Sequence, residues 1–134
     1  MKNQKELYIK LLNIAKDAKK NSYNPYSKFK VGCAVLCDNG EIYLGANIEN
    51  VSYGLTICAE RVAIFNAVSN GAKKIKAVAL YTDKKDITPC GACRQVIFEF
   101  SKDADIIYNS KNGKIKVANI KSLLPDSFCC KSLK

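Results

Sequence analysis

The pattern of apolar positions in the first third of the chain predicts a helix followed by a hairpin. Over residues 4–20, apolar side chains recur at three- and four-residue steps between lysines, as on an amphipathic helix that ends near Asn21. Residues 29–37 then alternate apolar with polar or small side chains, which is the period of a strand. The Asp-Asn-Gly sequence at 38–40 is typical of a tight turn and leads into a second strand at 42–46.

The rest of the chain alternates between helical and strand-like segments. Residues 47–57 lack a clean period and are predicted as a loop, and a helical pattern then runs from about Cys58 to the Asn-Gly pair at 70–71. Further predicted elements are a buried strand at 75–81, a helix at 90–100, strands at 104–108 and 115–119, and a terminal turn over 123–128. Interleaved helices and strands predict one α/β domain over residues 1–134, with helices on both faces of a mixed β-sheet.

The charge distribution argues against two classes of partner. The net charge is +10, from 22 basic and 12 acidic residues, but the lysines are scattered from Lys2 to Lys134 and form no block. We therefore expect no nucleic-acid partner. No apolar run approaches the roughly 18 residues of a membrane span, so we expect a soluble protein without membrane contact. Only Arg61 and Arg94 are arginines, which suggests positions where lysine cannot serve.

The chain has seven cysteines and no histidine. Charged residues interrupt every apolar stretch near the start, so no secretory signal is expected, and the odd cysteine count argues against a disulfide framework. We expect a protein of the reducing cytoplasm whose thiols are free or bound to metal. Cys33 and Cys37 are interpreted as small core residues of a strand, and Cys129 and Cys130 are given no function.

Three cysteines lie where two predicted helices begin. Cys58 opens one helix, and Cys90 and Cys93 form a Cys-x-x-Cys pair at the start of the next. Helix N-termini stabilise thiolates through their free N–H groups and the helix dipole. Two such helices side by side would hold one Zn²⁺ per chain on three thiolates and leave the fourth position for water, which is a catalytic arrangement.

Nearby charged side chains complete this hypothesis. Three thiolates and Zn²⁺ carry a net charge of −1, which opposes ionisation of water at the metal. Arg61, one helical turn past Cys58, and Arg94, next to Cys93, are predicted to neutralise the thiolates. Glu60 is too close to Cys58 to join the chelate comfortably, yet close enough to take and return a proton of that water.

Four segments resemble, in order, the motifs of the small cytidine deaminases. They are PYSKFKVGCAVL at 25–36, NIENVSYGLTICAERVAIFNAVSNG at 47–71, PCGACRQVIFEF at 89–100 and LLPDSF at 123–128. Cys58 stands where the larger zinc deaminase class has histidine, as in the short tetrameric nucleoside enzymes. Cys33 and Val51 depart from the alanine that is usual in the family.

The resemblance implies a three-layer fold, a site and an activity. Cys58, Cys90 and Cys93 would hold zinc, and Glu60 would be the proton shuttle in hydrolysis of cytidine and deoxycytidine to uridine and deoxyuridine, in pyrimidine salvage. The resemblance also implies a set of substrate-binding residues. Asn47 and Glu49 would bind the ribose, Phe29 would pack against the pyrimidine, and the Thr88 carbonyl would accept from the leaving amine. Tyr53 and Phe128 would come from neighbouring subunits of a homotetramer.

Two other functions stay open on the sequence. One is a deaminase of a modified cytosine nucleoside, of the blasticidin type. Such an enzyme shares the zinc motifs but lacks the Asn-x-Glu pair that Asn47 and Glu49 form in this sequence. A dithiol redox protein would use the Cys-x-x-Cys pair alone and would leave Cys58 and Glu60 unexplained. Deamination of nucleic acid is disfavoured, because no added aromatic or basic module for gripping a strand is visible.

Overall fold

The computed structural model describes residues 2–83 and 86–134. The helices are α1 (Lys2–Ala18), α2 (Ala59–Ser69), α3 (Gly91–Phe100) and α4 (Ile120–Leu123), and the strands are β1 (Gly32–Cys37), β2 (Ile42–Ala46), β3 (Ile75–Tyr81), β4 (Asp105–Asn109) and β5 (Ile115–Asn119). Short 3₁₀ turns occupy Lys19–Asn21, Tyr53–Leu55 and Cys130–Leu133. None of the helices within these residues is both long and apolar enough to cross a membrane.

The five strands form one mixed sheet in the order β2-β1-β3-β4-β5. Strands β3 and β4 are parallel and are joined through α3, whereas the other neighbouring pairs are antiparallel. A parallel pair needs such a crossover, because its second strand must start again at the same end of the sheet. The predicted α/β class, a mixed sheet flanked by helices, is confirmed.

Helices cover both faces of this sheet. On one face, Leu11 and Ala15 of α1 pack with Ala34 and Ile107 of the sheet. On the other face, side chains of α2 and α3 pack with the sheet in a larger cluster that includes Val35, Ile64, Val78 and Ile97. The result is three layers with an apolar cluster on each side of the sheet.

A glycine contact brings α2 close to the sheet. A Cβ added to Gly45 of β2 would lie 2.4 Å from the Ala59 carbonyl oxygen and from the Ala63 backbone nitrogen. Only a residue without a side chain permits this approach. The contact fixes the first turn of α2, and therefore Cys58, against the edge of the sheet.

Two parts of the chain differ from the sequence-based expectation. The predicted strand at 29–37 begins only at Gly32, and Cys33, Ala34 and Val35 are all buried, because helices cover both faces of β1. Near the C-terminus, α4 precedes the predicted turn, with the Asn119 side chain accepting a hydrogen bond from the Lys121 backbone N–H. Cys33 and Cys37 are core residues, in agreement with their interpretation from the sequence.

Candidate metal centre and active site

Two helix N-termini bring three cysteines together. Cys58 and Cys90 are the N-cap residues of α2 and α3, and Cys93 lies in the first turn of α3. Ile57, just before Cys58, exchanges two backbone hydrogen bonds with Ile48, which secures the entry to α2. Both helix dipoles therefore point their positive ends at the same sulfur atoms.

The sulfur positions fit one tetrahedral zinc ion. The three Sγ atoms all lie within 4.8 Å of one another, and those of Cys58 and Cys90 are 3.9 Å apart. Zinc–sulfur bonds of about 2.3 Å in tetrahedral geometry separate neighbouring sulfurs by about 3.8 Å. Three soft thiolate donors at this spacing suit Zn²⁺ and leave one coordination position for a non-protein ligand.

Arg61 provides positive charge at the sulfurs. Its Nη2 donates a hydrogen bond of 3.5 Å to the Cys58 Sγ. A hydrogen bond from the Cys93 thiol, reinforced by Arg61, lowers the pKa of Cys58 to about 5. The same pairing raises the pKa of Cys93, since that thiol holds the shared proton. A metal cation would take the place of this proton and keep all three sulfurs ionised.

Arg94 has different partners from those predicted. Its Nε donates to the Pro89 carbonyl oxygen at 2.7 Å, Nη1 to the Leu123 carbonyl oxygen at 2.9 Å, and Nη2 to the Thr88 hydroxyl at 3.3 Å. None of these three hydrogen bonds goes to a cysteine sulfur, and the role of Arg94 in neutralising the thiolates stays a prediction. Its guanidinium binds oxygen atoms of the loop before α3 and of the last residue of α4.

Glu60 is a buried carboxyl group beside the cysteines. Only 3% of its surface is exposed. Burial raises the pKa of Glu60 to about 7, and the negative charge of Cys58 adds to the shift. A carboxyl group with a pKa near neutrality can both accept and return a proton, which suits a general acid and base.

A pocket of about 210 Å³ opens above these groups. Cys58, Cys90 and Glu60 line it together with apolar and polar residues of three loops. The other lining residues are Ser27, Phe29, Val31, Asn47, Glu49, Thr56, Ile57, Ala59, Ile87 and Thr88. An apolar wall with a few polar groups is typical of a small-molecule site, so the predicted set of Phe29, Asn47, Glu49 and Thr88 shares one pocket with the metal site.

Asn47 has a structural role in addition to the predicted one. Its Oδ1 accepts from the Ser22 hydroxyl at 2.6 Å and from the Val31 backbone N–H at 2.9 Å, and its Nδ2 donates to the Phe29 carbonyl oxygen at 2.7 Å. The side chain thus fixes the Phe29–Val31 wall of the pocket. Because an amide nitrogen carries two hydrogens, a second donor remains for a ligand.

Glu49 is oriented by backbone groups of a neighbouring loop. Its Oε1 accepts from the backbone N–H groups of Tyr26 and Ser27 at 2.9 and 3.2 Å. A hydrogen bond with the Ser27 side chain is the largest cause that lowers the pKa of Glu49, and the two backbone donors lower this pKa further. The carboxylate is therefore an ionised hydrogen-bond acceptor at neutral pH. These N–H donors give no signal in the sequence, since any non-proline residue could supply them.

Tyr53 and Phe128 lie outside the pocket of their own chain. Their exposed fractions are 75% and 60%. The Tyr53 ring meets Tyr26 edge-on, with ring centroids 5.8 Å apart. The Phe128 backbone carbonyl accepts a hydrogen bond of 3.0 Å from the Gln95 side chain, while its ring faces solvent.

Comparison with known proteins places the fold and the site in one family. The family model for the cytidine and deoxycytidylate deaminase zinc-binding region matches residues 5–110. A cytidine deaminase from Sporosarcina psychrophila is 46% identical over 121 residues, which cover 89% of each chain. A crystal structure of cytidine deaminase from Burkholderia pseudomallei superposes with a TM-score of 0.85 at 40% identity and covers 90% of this chain and 98% of that chain.

A blasticidin-S deaminase from Bacillus cereus is more distant, at 34% identity over 108 residues, which cover 74% of this chain and 76% of that protein. The residues matched by the family model include the three cysteines and Glu60. A zinc-binding region with this arrangement does not fit a protein that uses the Cys-x-x-Cys pair alone for dithiol redox chemistry. The chain belongs to the cytidine deaminase family of zinc-dependent hydrolases.

Proposed function

We propose that the protein hydrolyses free cytidine and deoxycytidine to uridine and deoxyuridine with release of ammonia. The observation that carries this proposal is the convergence of three zinc-ligating cysteines and the buried Glu60 at the floor of a pocket whose rim holds Asn47 and Glu49. Zinc held by Cys58, Cys90 and Cys93 supplies a Lewis acid that makes water nucleophilic near neutral pH.

Glu60 moves the protons of the reaction. It takes a proton from the attacking water and delivers it to N3 of the pyrimidine, and then takes the remaining proton of the hydroxyl group on C4 and delivers it to the departing 4-amino group. Water supplies the oxygen that replaces nitrogen at C4, so cytidine and water give uridine and ammonia. The burial of Glu60 and its pKa of about 7 support this double role. The Thr88 backbone carbonyl accepts a hydrogen bond from the amine.

Asn47 and Glu49 bind the sugar in this proposal. The ionised Glu49 accepts from ribose hydroxyls, and the remaining Asn47 amide hydrogen donates to one of them. Phe29 packs on the pyrimidine at the pocket wall. These contacts hold C4 in position for attack, and free cytosine lacks them. A 5′-phosphate would face the negative charge of Glu49, so the pocket favours nucleosides over nucleotides.

A substrate panel tests this proposal. Deamination is followed by the change in ultraviolet absorbance of each substrate. We expect kcat/KM for cytidine and deoxycytidine to be at least about a hundredfold above kcat/KM for cytosine and cytidine monophosphate. Blasticidin S and single-stranded DNA serve as comparison substrates. Turnover of any of these four at the rate of cytidine would contradict the proposed specificity.

We also propose a homotetramer whose active sites are shared between subunits, with Tyr53 and Phe128 reaching the pocket of a neighbouring copy. The exposed rings of both residues support this arrangement. A modest pocket on a chain of 134 residues supports it as well, since a nucleoside must be enclosed by more protein surface than this pocket offers.

We further propose that residues 1–134 form one domain. We also propose that the protein acts in the cytoplasm in pyrimidine salvage, in accord with its free thiols.

Complementation between inactive variants checks the shared site. Chains carrying Glu60→Ala and chains carrying Phe128→Ala are mixed, dissociated and reassociated. Some hybrid pockets then combine an intact Glu60 from one chain with an intact Phe128 from another, so activity per site should rise above the mean of the two parents. Full activity of Phe128→Ala alone, or a fully active monomer in light scattering at low concentration, would contradict shared sites.

A further inference from the structure

Arg94 and Gln95 connect the pocket wall to the C-terminal part of the chain. Both follow Cys93 on α3. Arg94 donates to Thr88 and Pro89 on one side and to the Leu123 carbonyl oxygen on the other. Gln95 Nε2 donates to the Phe128 carbonyl oxygen at 3.0 Å. Adjacent residues of one helix thus anchor both ends of the C-terminal segment, defined here as residues 123–128.

The backbone between these two anchors makes a sharp turn. Asp126 has a φ of 49°, in the left-handed region that side-chain-bearing residues seldom adopt. Leu123 and Leu124 are partly buried against the larger apolar cluster, whereas the Phe128 ring is exposed. A turn of this kind persists only where surrounding contacts determine it. The hydrogen bonds from Arg94 and Gln95 supply such contacts at the two ends.

The geometry at residue 94 requires arginine. The guanidinium reaches three oxygen acceptors that belong to two separate segments, and each of its three nitrogens has its own acceptor. A lysine ammonium is a single point donor and cannot span these acceptors with a fixed planar fork. This accounts for an arginine here in a chain whose basic residues are otherwise lysine, apart from Arg61.

We propose that Arg94 is a positioning residue for substrate binding, which fixes the Thr88–Pro89 wall of the pocket and the C-terminal segment bearing Phe128 relative to each other. This inference rests on the proposed function, because it assigns the two positioned groups to the nucleoside site. Through Arg94, a shift of the pocket wall in one subunit also moves the segment that serves its neighbour. Arg94 touches neither substrate nor metal in this role.

Kinetics of Arg94→Lys in the zinc-loaded enzyme test the proposal. We expect zinc content to stay at the wild-type value while KM for cytidine rises roughly tenfold to a hundredfold and kcat changes less, since misplacement of binding groups by about 1 Å costs that much. The matched control is Lys121→Ala on α4, which removes an exposed ion pair with Asp103 and leaves both anchors intact. Its KM should equal that of wild type.

A double-variant cycle asks whether Arg94 acts through Phe128. Arg94→Lys combined with Phe128→Ala should raise KM by less than the product of the two single effects, because the second change disturbs a group that is already displaced. Gln95→Ala, which removes only the other anchor, should raise KM in the same direction by a smaller factor. Wild-type KM in zinc-loaded Arg94→Lys, or fully multiplicative effects in the double variant, would overturn the proposal.

Limited proteolysis gives a readout that does not depend on activity. With the anchor of the C-terminal segment weakened, Arg94→Lys should be cut by trypsin after Lys121, just before this segment, several times faster than wild type. Equal cleavage rates would overturn the positioning role. If the proposed function is wrong, the wild-type protein will leave cytidine unchanged. In that case the proteolysis rates still test whether Arg94 anchors the C-terminal segment.

Discussion

Glu60→Gln should lower kcat for cytidine by about 10⁴-fold while zinc content and nucleoside binding persist. Proton transfer by one positioned group contributes about 10² to 10⁴-fold, and Glu60 serves more than one transfer in the proposed reaction. Glutamine keeps the volume of the buried side chain and most of its hydrogen-bonding capacity, but it can neither take up nor release a proton at neutral pH. Steady-state kinetics and metal analysis of the purified variant measure both quantities.

The matched control for this substitution is Glu99→Gln on the exposed side of α3, which makes the same chemical change away from the pocket. It should leave kcat unchanged. Loss of zinc from Glu60→Gln would identify Glu60 as a metal ligand and contradict its assigned role. A kcat within about tenfold of wild type would mean that another group carries the proton.

Cys90→Ala should abolish zinc binding and activity together and should lower the melting temperature. The two remaining sulfurs do not complete the site, and metal that binds only the native state stabilises it by about 4 kcal/mol at a thousandfold excess over its dissociation constant. Removal of zinc also leaves Cys58 and Cys93 to share a proton in the core of the site. Metal analysis and thermal unfolding of the same samples check the prediction.

Cys130→Ala provides the control, since this thiol is exposed in the C-terminal turn. It should retain one zinc per chain, wild-type activity and wild-type melting temperature. A Cys90→Ala protein with full zinc and full activity would remove Cys90 from the metal site. Zinc retention without activity would instead assign Cys90 a role in binding substrate.

The metal site could be predicted from sequence because its geometry is local. Cys58 and the Cys90-x-x-Cys93 pair each lie at a helix start, and helix starts are marked by changes in the apolar pattern. The βα connections then bring both N-termini to one end of the sheet. Glu60 follows from its place in the first turn of α2.

Contacts between distant segments could not be predicted in this way. The adjacency of Arg94 and Cys93 predicted charge neutralisation at sulfur and gave no sign of the hydrogen bond from its guanidinium to the Leu123 carbonyl oxygen, 29 residues further along the chain. The bond from Asn47 to Val31 is equally invisible, because its partner is a backbone N–H. The alternation in β1 predicted one exposed face for a related reason. The structure buries both faces, because α1 packs on the face that carries the small or polar residues of the pattern.

Zinc titration of the metal-free protein, followed by the rate of cytidine deamination, tests the central claim most directly. The structure holds one three-cysteine site per chain within the described residues. The account predicts a rate that rises in proportion to added zinc and stops rising at one equivalent per chain. A protein that deaminates cytidine fully without zinc, or that binds one equivalent of zinc and leaves cytidine unchanged, would contradict it.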